Sequence, residues 1–276
     1  MRHITGVAKK TQTNQSSEKL FSIIELLAET DGPMRLLDIS KALHINTSTA
    51  LRFLNTMLKC GYVMQDADSL KYYLTFKICT VANKISSRIN IRTLAAPYLR
   101  DLSGIFGESV CLSVDQNMKV VYIDVVEGPD QMIRSMQRIG SVAPLHCTAV
   151  GKLFLSEYSP ENLEKVVAAG LARFTPNTLT GKSFLEKELA QVRRRGYAID
   201  NEECEIGARC VSCPVRDHTG KIIAGISVTG PAIRLTDDLI AKKINHLIKA
   251  AEKVSLLLGC EGSVKNTESG KSRSRR

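Results

Sequence analysis

The chain has 276 residues, a formal net charge of +10, 43% hydrophobic and 24% charged residues. That is room for about two domains with a globular balance, which excludes a wholly disordered or fibrous chain. The longest apolar runs, such as residues 222–228, fall far short of the ~18 residues of a membrane span, and the polar first 17 residues lack the apolar stretch of a secretory signal, so a cytoplasmic protein with no membrane partner is expected.

The chain ends are basic. Residues 1–16 carry Arg2, Lys9 and Lys10, residues 261–276 carry five basic against two acidic groups, and both stretches read as disordered arms. From residue 17, apolar positions Leu20, Ile23, Ile24, Leu27 and Ala28 recur at helical spacing behind Ser16 or Ser17 as cap, and Asp31-Gly32-Pro33 closes that helix near Thr30. A short helix over 37–43 with Ile39, Ala42 and Leu43 inward and a longer one over 47–60 with Ala50, Leu51, Leu54 and Leu58 on one face are joined by His44-Ile45-Asn46, a turn of helix-turn-helix length. Residues 62–65 and 71–74 then form a hairpin around Asp66-Ala67-Asp68-Ser69, placed where a wing belongs. Residues 17–75 therefore read as a winged helix-turn-helix.

Helices follow at 76–87 and 91–105, the first within a linker over 76–90. Strands are expected at 109–114, 120–126, 132–136, 198–201, 210–216 and 222–229, with helices at 148–156, 160–168, 183–195 and 236–258. This makes residues 91–260 a mixed α/β domain in which one hairpin turns at His218-Thr219-Gly220. The eight cysteines are scattered through a long apolar chain, unlike a disulfide scaffold, and read as reduced thiols.

A helix that enters the major groove needs short polar side chains and an Arg or Asn facing outward, because these reach base edges and phosphates. Thr47, Ser48, Thr49, Arg52 and Asn55 supply that set, with Arg35, Lys41 and the wing residue Lys71 as phosphate contacts. Asn46 or Thr47 can cap the helix, and capping alone is the bland reading of this polar run. Residues 18–83 hold seven basic and seven acidic groups, so DNA affinity here depends on placement rather than on net charge.

Ser227 and Thr229 lie two apart on one strand, so both hydroxyls leave the same face, and Ala208 and Cys210 do so on the strand before. A helix opening at Cys147 or Thr148 offers N–H groups near Ala149 and Val150, and a small carboxylate fits between these and the hydroxyls. The competing reading is a pair of buried hydroxyls satisfied by backbone. Zinc at Cys204, Cys210, Cys213 and His218 is disfavoured because Cys210 and Cys213 would face opposite sides of a strand. A thiol hydrolase at His146-Cys147 is disfavoured because sequence neighbours rarely form a base and nucleophile pair. No catalytic residue, metal or cofactor is expected.

The stretch Asp38-Ile-Ser-Lys-Ala-Leu-His-Ile-Asn-Thr-Ser-Thr-Ala-Leu-Arg-Phe-Leu-Asn-Thr-Met-Leu-Lys-Cys-Gly-Tyr-Val63 resembles the helix-turn-helix of the IclR family of bacterial transcription regulators. Pro144-Leu-His-Cys-Thr-Ala-Val-Gly-Lys152, Asp200-Asn-Glu-Glu-Cys-Glu-Ile-Gly-Ala-Arg-Cys210, Pro214-Val215 and Gly225-Ile-Ser-Val-Thr-Gly-Pro231 are similar to the signature regions of that family's effector domain, in order and in spacing. The resemblance spans about residues 17–260 and lies nearest the regulators of sugar-acid and pectin breakdown.

It implies an α+β protein with a winged helix-turn-helix, a linker helix and a GAF/profilin-like effector-binding domain. The implied partners are double-stranded operator DNA, a second copy of the chain in a homodimer or dimer of dimers, and a small organic acid, either a sugar acid or a keto acid. Dimer contacts are expected from residues 76–86 and the first helix. The effector is expected among Met132, Ser135, Ala149, Val150, Asp200, Ala208, Cys210, Ser227 and Thr229, and a repressor of a catabolic operon is the expected role. The rival is a ligand-binding or enzymatic α/β domain whose helix-turn-helix serves as a protein-interaction module.

Overall fold

The computed structural model describes residues 14–86, 89–128 and 137–260, and the chain divides into two units between Ile89 and Asn90. The arms and the expected strand at 132–136 fall outside the described residues, apart from the end of the first arm. In the first unit α1 (Gln15–Glu29) starts ahead of the expected cap, because the side chain of Asn14, not of Ser16 or Ser17, accepts from the Ser16 N–H. Its apolar stripe brings Ile23 and Leu27 against α2 (Leu36–Ala42) and α3 (Thr47–Lys59). Between α1 and α2, Met34 exchanges backbone hydrogen bonds with Tyr72, which adds a third extended segment to the hairpin of β1 (Val63–Gln65) and β2 (Tyr72–Leu74).

Two inward faces differ from the pattern read in the sequence. On α2 Ala42 is exposed and Ser40 is buried in its place. The Ser40 hydroxyl donates to the Ile45 carbonyl at 2.7 Å and meets the Thr47 hydroxyl at 3.2 Å, so one buried oxygen pins the turn between α2 and α3. His44 takes φ 51° in that turn, a left-handed conformation that costs a non-glycine residue little only when its surroundings hold it. On α3 the buried side chains are Ala50, Phe53, Leu54 and Met57, whereas Leu51 is exposed and Leu58 half-buried. The helix is rotated so that Phe53 and Met57 meet the hairpin core. Beyond the hairpin, α4 (Lys77–Ser86) leaves Val81 and Ile85 exposed, and Phe76 just before it is 87% exposed.

The second unit is a six-stranded, wholly antiparallel sheet in the order β5-β4-β3-β8-β7-β6. Its strands are β3 (Ser109–Gln116), β4 (Lys119–Val126), β5 (Val142–Ala143), β6 (Ala198–Asn201), β7 (Ala208–Arg216) and β8 (Ile222–Pro231). The two-residue β5 is too short to read from sequence. One face carries Val110, Leu112, Val211, Cys213, Val215, Ala224, Ile226 and Val228 against α5 (Ile91–Phe106) and α9 (Asp237–Leu257). The other face is covered by α6 (Ala149–Ser156), with α8 (Lys182–Arg195) packed on α6 through Leu185, Leu189 and Val192, while α7 (Pro160–Ala168) lies between these two helices in sequence. Because side chains alternate along a strand, Ser227 and Thr229 on β8 face α6, not the apolar core.

Gly225 lets α6 approach the sheet so closely, and Gly151 lets the segment just before α6 fold back onto the helix. A Cβ on Gly225 of β8 would sit 2.5 Å from Val150 Cγ2, and one on Gly151 would sit 2.2 Å from the Leu145 carbonyl oxygen. Next to Gly151, Lys152 is only 1% exposed, and its ammonium lies 2.5 Å from Glu203 Oε1 and 3.7 Å from Glu188 Oε1. Glu203 follows β6, so this ion pair ties α6 to the loop leaving that strand. Thr175 and Thr178, both buried, donate to the carbonyls of Glu202 and Glu203 at 2.7 Å each and hold the same loop from its other side.

Removing one partner of such a pair strands the other charge in the interior, which typically costs about 3–5 kcal/mol. Lys152→Met is accordingly expected to destabilise the chain by about that amount in urea unfolding, and Lys152→Met/Glu203→Leu to recover most of it. Equal losses in the single and double variants would assign the effect to packing volume rather than to charge.

Candidate functional site

Two places in the described residues gather the side chains singled out by sequence, one in each unit. In the first, Ser48, Arg52 and Asn55 stand exposed on α3 at positions i, i+4 and i+7, the spacing of one helical stripe. Leu51, Thr56 and Lys59 border the same shallow groove and were not anticipated. Arg52 is steadied from its own helix, with the guanidinium 5.7 Å from the centre of the Phe53 ring.

Thr47 and Thr49 turn inward and are half-buried, and the Thr47 hydroxyl is occupied by Ser40. Asn46 is the N-cap by position but makes no side-chain cap. The Thr49 N–H donates to the Asn46 carbonyl at 2.9 Å, which leaves the N–H groups of Thr47 and Ser48 for an outside acceptor, the arrangement that a phosphate oxygen satisfies. Arg35 and Lys41 are exposed, and Lys71 is half-buried beside Asp66. Asp66 accepts from the Ser69 hydroxyl at 2.6 Å and from its N–H at 2.8 Å, which shapes the tip of the hairpin and holds its carboxyl below the ordinary value.

In the second unit a row of polar side chains crosses the face of the sheet that α6 covers. Strand pairing sets Asp200 opposite Cys210, Cys210 opposite Thr229, Ser212 opposite Ser227 and Ser227 opposite Cys111. Thr148 is the N-cap of α6, its hydroxyl accepting from the Gly151 N–H at 3.2 Å and donating to the Pro144 carbonyl at 2.7 Å. Ala149 and Val150 are 0% and 2% exposed. Their side chains belong to the core, and only their backbone N–H groups, which have no partner within the helix, point to a ligand role.

The hydroxyls of Ser227 and Thr229 are not spare donors as the sequence suggested. Ser227 donates to the Ser212 hydroxyl at 3.0 Å, which donates to the Ile226 carbonyl at 3.1 Å, and Thr229 donates to Cys210 Sγ at 3.1 Å. They retain lone pairs and so act toward a ligand as acceptors. Ala208 is half-buried at the start of β7, opposite Pro231, while Met132 and Ser135 lie outside the described residues. Sequence reasoning missed Ser113, whose hydroxyl is fully buried with no partner among the described residues, and Tyr122, opposite it on β4. Both stand at alternating strand positions on the α6 side, a parity that placing the strands in register would have revealed.

Asp200 carries the strongest electrostatic signature. It is 6% exposed, and its Oδ1 accepts from the Glu203 N–H at 2.8 Å and the Cys204 N–H at 3.4 Å. Burial outweighs those hydrogen bonds and pushes the carboxyl up to about 7. Burial also raises Glu203 despite Lys152, raises Cys210 to about 12, and raises the Tyr122 phenol. Cys213 faces the opposite side of the sheet from Cys210, within the apolar core. His146 Nε2 lies 2.9 Å from the Ala172 carbonyl. Cys210 and Cys213 therefore stand on opposite faces, and the His146 ring nitrogen is turned to a backbone carbonyl.

Comparison with known proteins gives one consistent result. The family described as "IclR helix-turn-helix domain" matches residues 16–67, and "Bacterial transcriptional regulator IclR C-terminal" matches residues 83–256. The chain is similar to the HTH-type transcriptional regulator KdgR of Dickeya chrysanthemi, 32% identical over 93% of this chain and 84% of that one. It is similar also to the acetate operon repressor of Salmonella typhimurium, 33% identical over 89% of this chain and 90% of that one. The crystal structure of the Agobacterium tumefaciens repressor BlcR, 26% identical, superposes with a TM-score of 0.76 over 91% of this chain and 100% of its own.

The raised Asp200 value has a definite sign. A carboxyl whose folded value lies above its unfolded one contributes stability that is full below the ordinary value near 3.8 and is lost as pH rises through about 7. Relative to Asp200→Asn, the wild-type chain should therefore lose stability between about pH 4 and pH 7, by at most about 4 kcal/mol for a rise of roughly three pH units. Thermal denaturation of the two proteins across that range checks it, and parallel curves would mean that Asp200 stays ionised throughout.

Proposed function

The chain belongs to the IclR family of bacterial transcriptional regulators, DNA-binding proteins rather than enzymes, and from that premise we propose that it represses a catabolic operon as a homodimer that a small organic acid releases from DNA. The exposed stripe Ser48, Arg52 and Asn55 on a helix whose N-terminus no side chain caps is the observation that supports reading of an operator by α3. Arg35, Lys41 and Lys71 provide the accompanying phosphate contacts, and Thr47 acts through the turn rather than on a base. Two copies are needed because a palindromic operator presents its half-sites one helical turn apart. The exposed apolar residues Val81 and Ile85 on α4, Phe76 just before it and Phe21 on α1 suit the contact between copies.

Repression is the role printed for the Salmonella acetate operon repressor and for BlcR, and it suits a protein whose effector and operator favour different arrangements. By linkage, a ligand that weakens DNA binding is itself bound more weakly by the DNA complex. The row from Asp200 to Ser227 is the proposed effector site, with Ala149 and Val150 contributing N–H groups, Ala208 and Cys210 the wall, and Met132 and Ser135 further contacts. N–H groups at a helix start suit a carboxylate, whereas Asp200 and the lone pairs of Ser227 and Thr229 suit donors. A sugar acid offers both on one small molecule, which a bare aromatic acid does not.

For the DNA arm, Arg52→Ala and Ser48→Ala should each weaken binding to DNA selected by the wild-type protein from its genome by about 1–3 kcal/mol while leaving the fold intact. Fluorescence anisotropy at fixed salt measures this, and unchanged affinity in both variants would remove α3 as the reading helix.

For the effector arm, calorimetry with sugar acids, keto acids and aromatic acids should find binding among the first two. Ser227→Ala/Thr229→Val should lose it about tenfold or more, as expected when two acceptors for the ligand's hydroxyl groups are removed at roughly 0.5–1.5 kcal/mol each. Binding confined to aromatic compounds, or a double variant that responds like wild type, would place the pocket elsewhere.

A further inference from the structure

The hairpin of β3 and β4 turns through Asn117 and Met118, whose φ angles are 52° and 58°. That left-handed conformation suits asparagine or glycine, and a methionine adopts it at a cost. Met118 is held in this way beside a cavity of about 310 Å³, within the roughly 300–1,000 Å³ of small-molecule sites. The walls are mainly aliphatic: Met118, Val142 of β5, Leu145, Val166 on α7 and the α7 C-cap Ala169. The buried ring of His146 forms a further wall, with Nε2 donating to the Ala172 carbonyl at 2.9 Å and the ring centre 6.0 Å from that of Phe174. Met118, Val142 and Phe174 stay exposed although all three are apolar, so a guest that covers them gains by their burial.

Lys119 and Lys165 also line the cavity, and no carboxylate does among the described residues. Both lysines are exposed. Lys165 lies 3.2 Å from Glu161 and 3.3 Å from Asn162 Oδ1, surface contacts that cost little to exchange for another anion. Neither the DNA-reading stripe nor the effector row includes any of these residues.

We propose that this cavity is a second ligand site, separate from the effector row, and that it takes an aliphatic monocarboxylate. The hydrocarbon chain lies against the aliphatic walls, and Lys119 and Lys165 meet the carboxylate. A sugar acid does not fit it, because hydroxyls pressed against these walls give up water without gaining partners.

Pro144 and Leu145 line the cavity and also lie against the start of α6. The Pro144 carbonyl accepts from the Thr148 hydroxyl at 2.7 Å, and the Leu145 carbonyl oxygen is so near the first turn that a Cβ on Gly151 would sit 2.2 Å from it. One short segment therefore separates a guest in the cavity from the N–H groups of Ala149 and Val150. A guest that favours one setting of residues 144–148 is coupled to whatever those N–H groups bind, and the coupling is reciprocal. That coupling rests on the effector reading above, whereas the binding of the acid does not.

Calorimetry of the full-length chain with hexanoate, and with hexanamide as its uncharged counterpart, tests the site. Saturable binding of hexanoate is expected, with hexanamide at least about tenfold weaker. Lys119→Gln/Lys165→Gln should weaken hexanoate about tenfold, Ala169→Trp should fill the cavity and abolish binding, and Ser227→Ala/Thr229→Val should leave it unchanged. Should Ala169→Trp fail to fold, a diazirine-bearing fatty acid of similar length gives the location, with its label expected on peptides that contain Met118 or residues 166–174. Absence of hexanoate binding, equal affinity for hexanamide, or a label confined to peptides containing Asp200, Cys210 or Ser227 would overturn the proposal. Loss of hexanoate in Ser227→Ala/Thr229→Val would overturn it too, by moving the acid into the effector row. Hexanoate bound by a chain that binds no sugar acid would instead overturn the effector reading and leave this site standing. Anisotropy with the selected DNA, with and without hexanoate, reads the coupling: a shifted affinity supports it, and located binding with unchanged affinity keeps the site and removes the coupling.

Discussion

An ammonium group taken out of water must be met by charge and hydrogen bonds fixed in advance, and the second unit is organised around one such group. Lys152 lies on a helix that Gly225 allows to sit almost on the sheet, and its partners Glu203 and Glu188 arrive from the loop after β6 and from α8. Because desolvation makes a badly placed partner very costly, α6, α8 and the loop after β6 have a single mutual arrangement in which the charges are satisfied. Glu188 is steadied in turn by Arg195 at 2.7 Å, while Thr175 and Thr178 fix the backbone that carries Glu203. Asp200 inherits its position from this construction, since the N–H groups that hold its carboxylate belong to the loop that Lys152 anchors. The polar row is thus set by an ion pair that takes no direct part in it.

Sequence periodicity located nearly every long element, and its failures are instructive. The helical stripe of α1 and the strands β3, β4, β7 and β8 were legible because burial on one face writes itself into spacing. The inward face of α3 was misjudged because Leu51 and Leu58 fit the same period as Phe53 and Met57, and only the hairpin packed on the helix decides between them. Asn14 was overlooked as a cap because the serines after it are equally good candidates, and a side chain two residues upstream satisfies the same N–H.

The candidate sites divide in the same manner. Ser48, Arg52 and Asn55 were readable from local composition, since exposure on a helix follows from position. The state of the Ser227 and Thr229 hydroxyls was not, because their acceptors Ser212 and Cys210 lie on a neighbouring strand. Lys152 looked like an ordinary charged residue on a short helix, and nothing near it in sequence announces a carboxylate fifty-one positions away. What lies beyond local reading is the set of long-range polar contacts, which tune the chemistry of a site after hydrophobic patterning has chosen the fold.

The order of strands in the sheet governs how the chain can be made. β3, β4 and β5 are neighbours in sequence and in space, as are β6, β7 and β8, and the two triplets meet only where Ser109 to Ser113 pair with Thr229 to Gly225. That seam joins segments more than a hundred residues apart, a separation that makes closure slow relative to the hairpins on either side. During synthesis the first triplet therefore waits with the edge of β3 unpaired until the ribosome delivers β8. An unpaired edge is where chains adhere to one another, so the vulnerable interval in the life of this protein is the translation of residues 117–231.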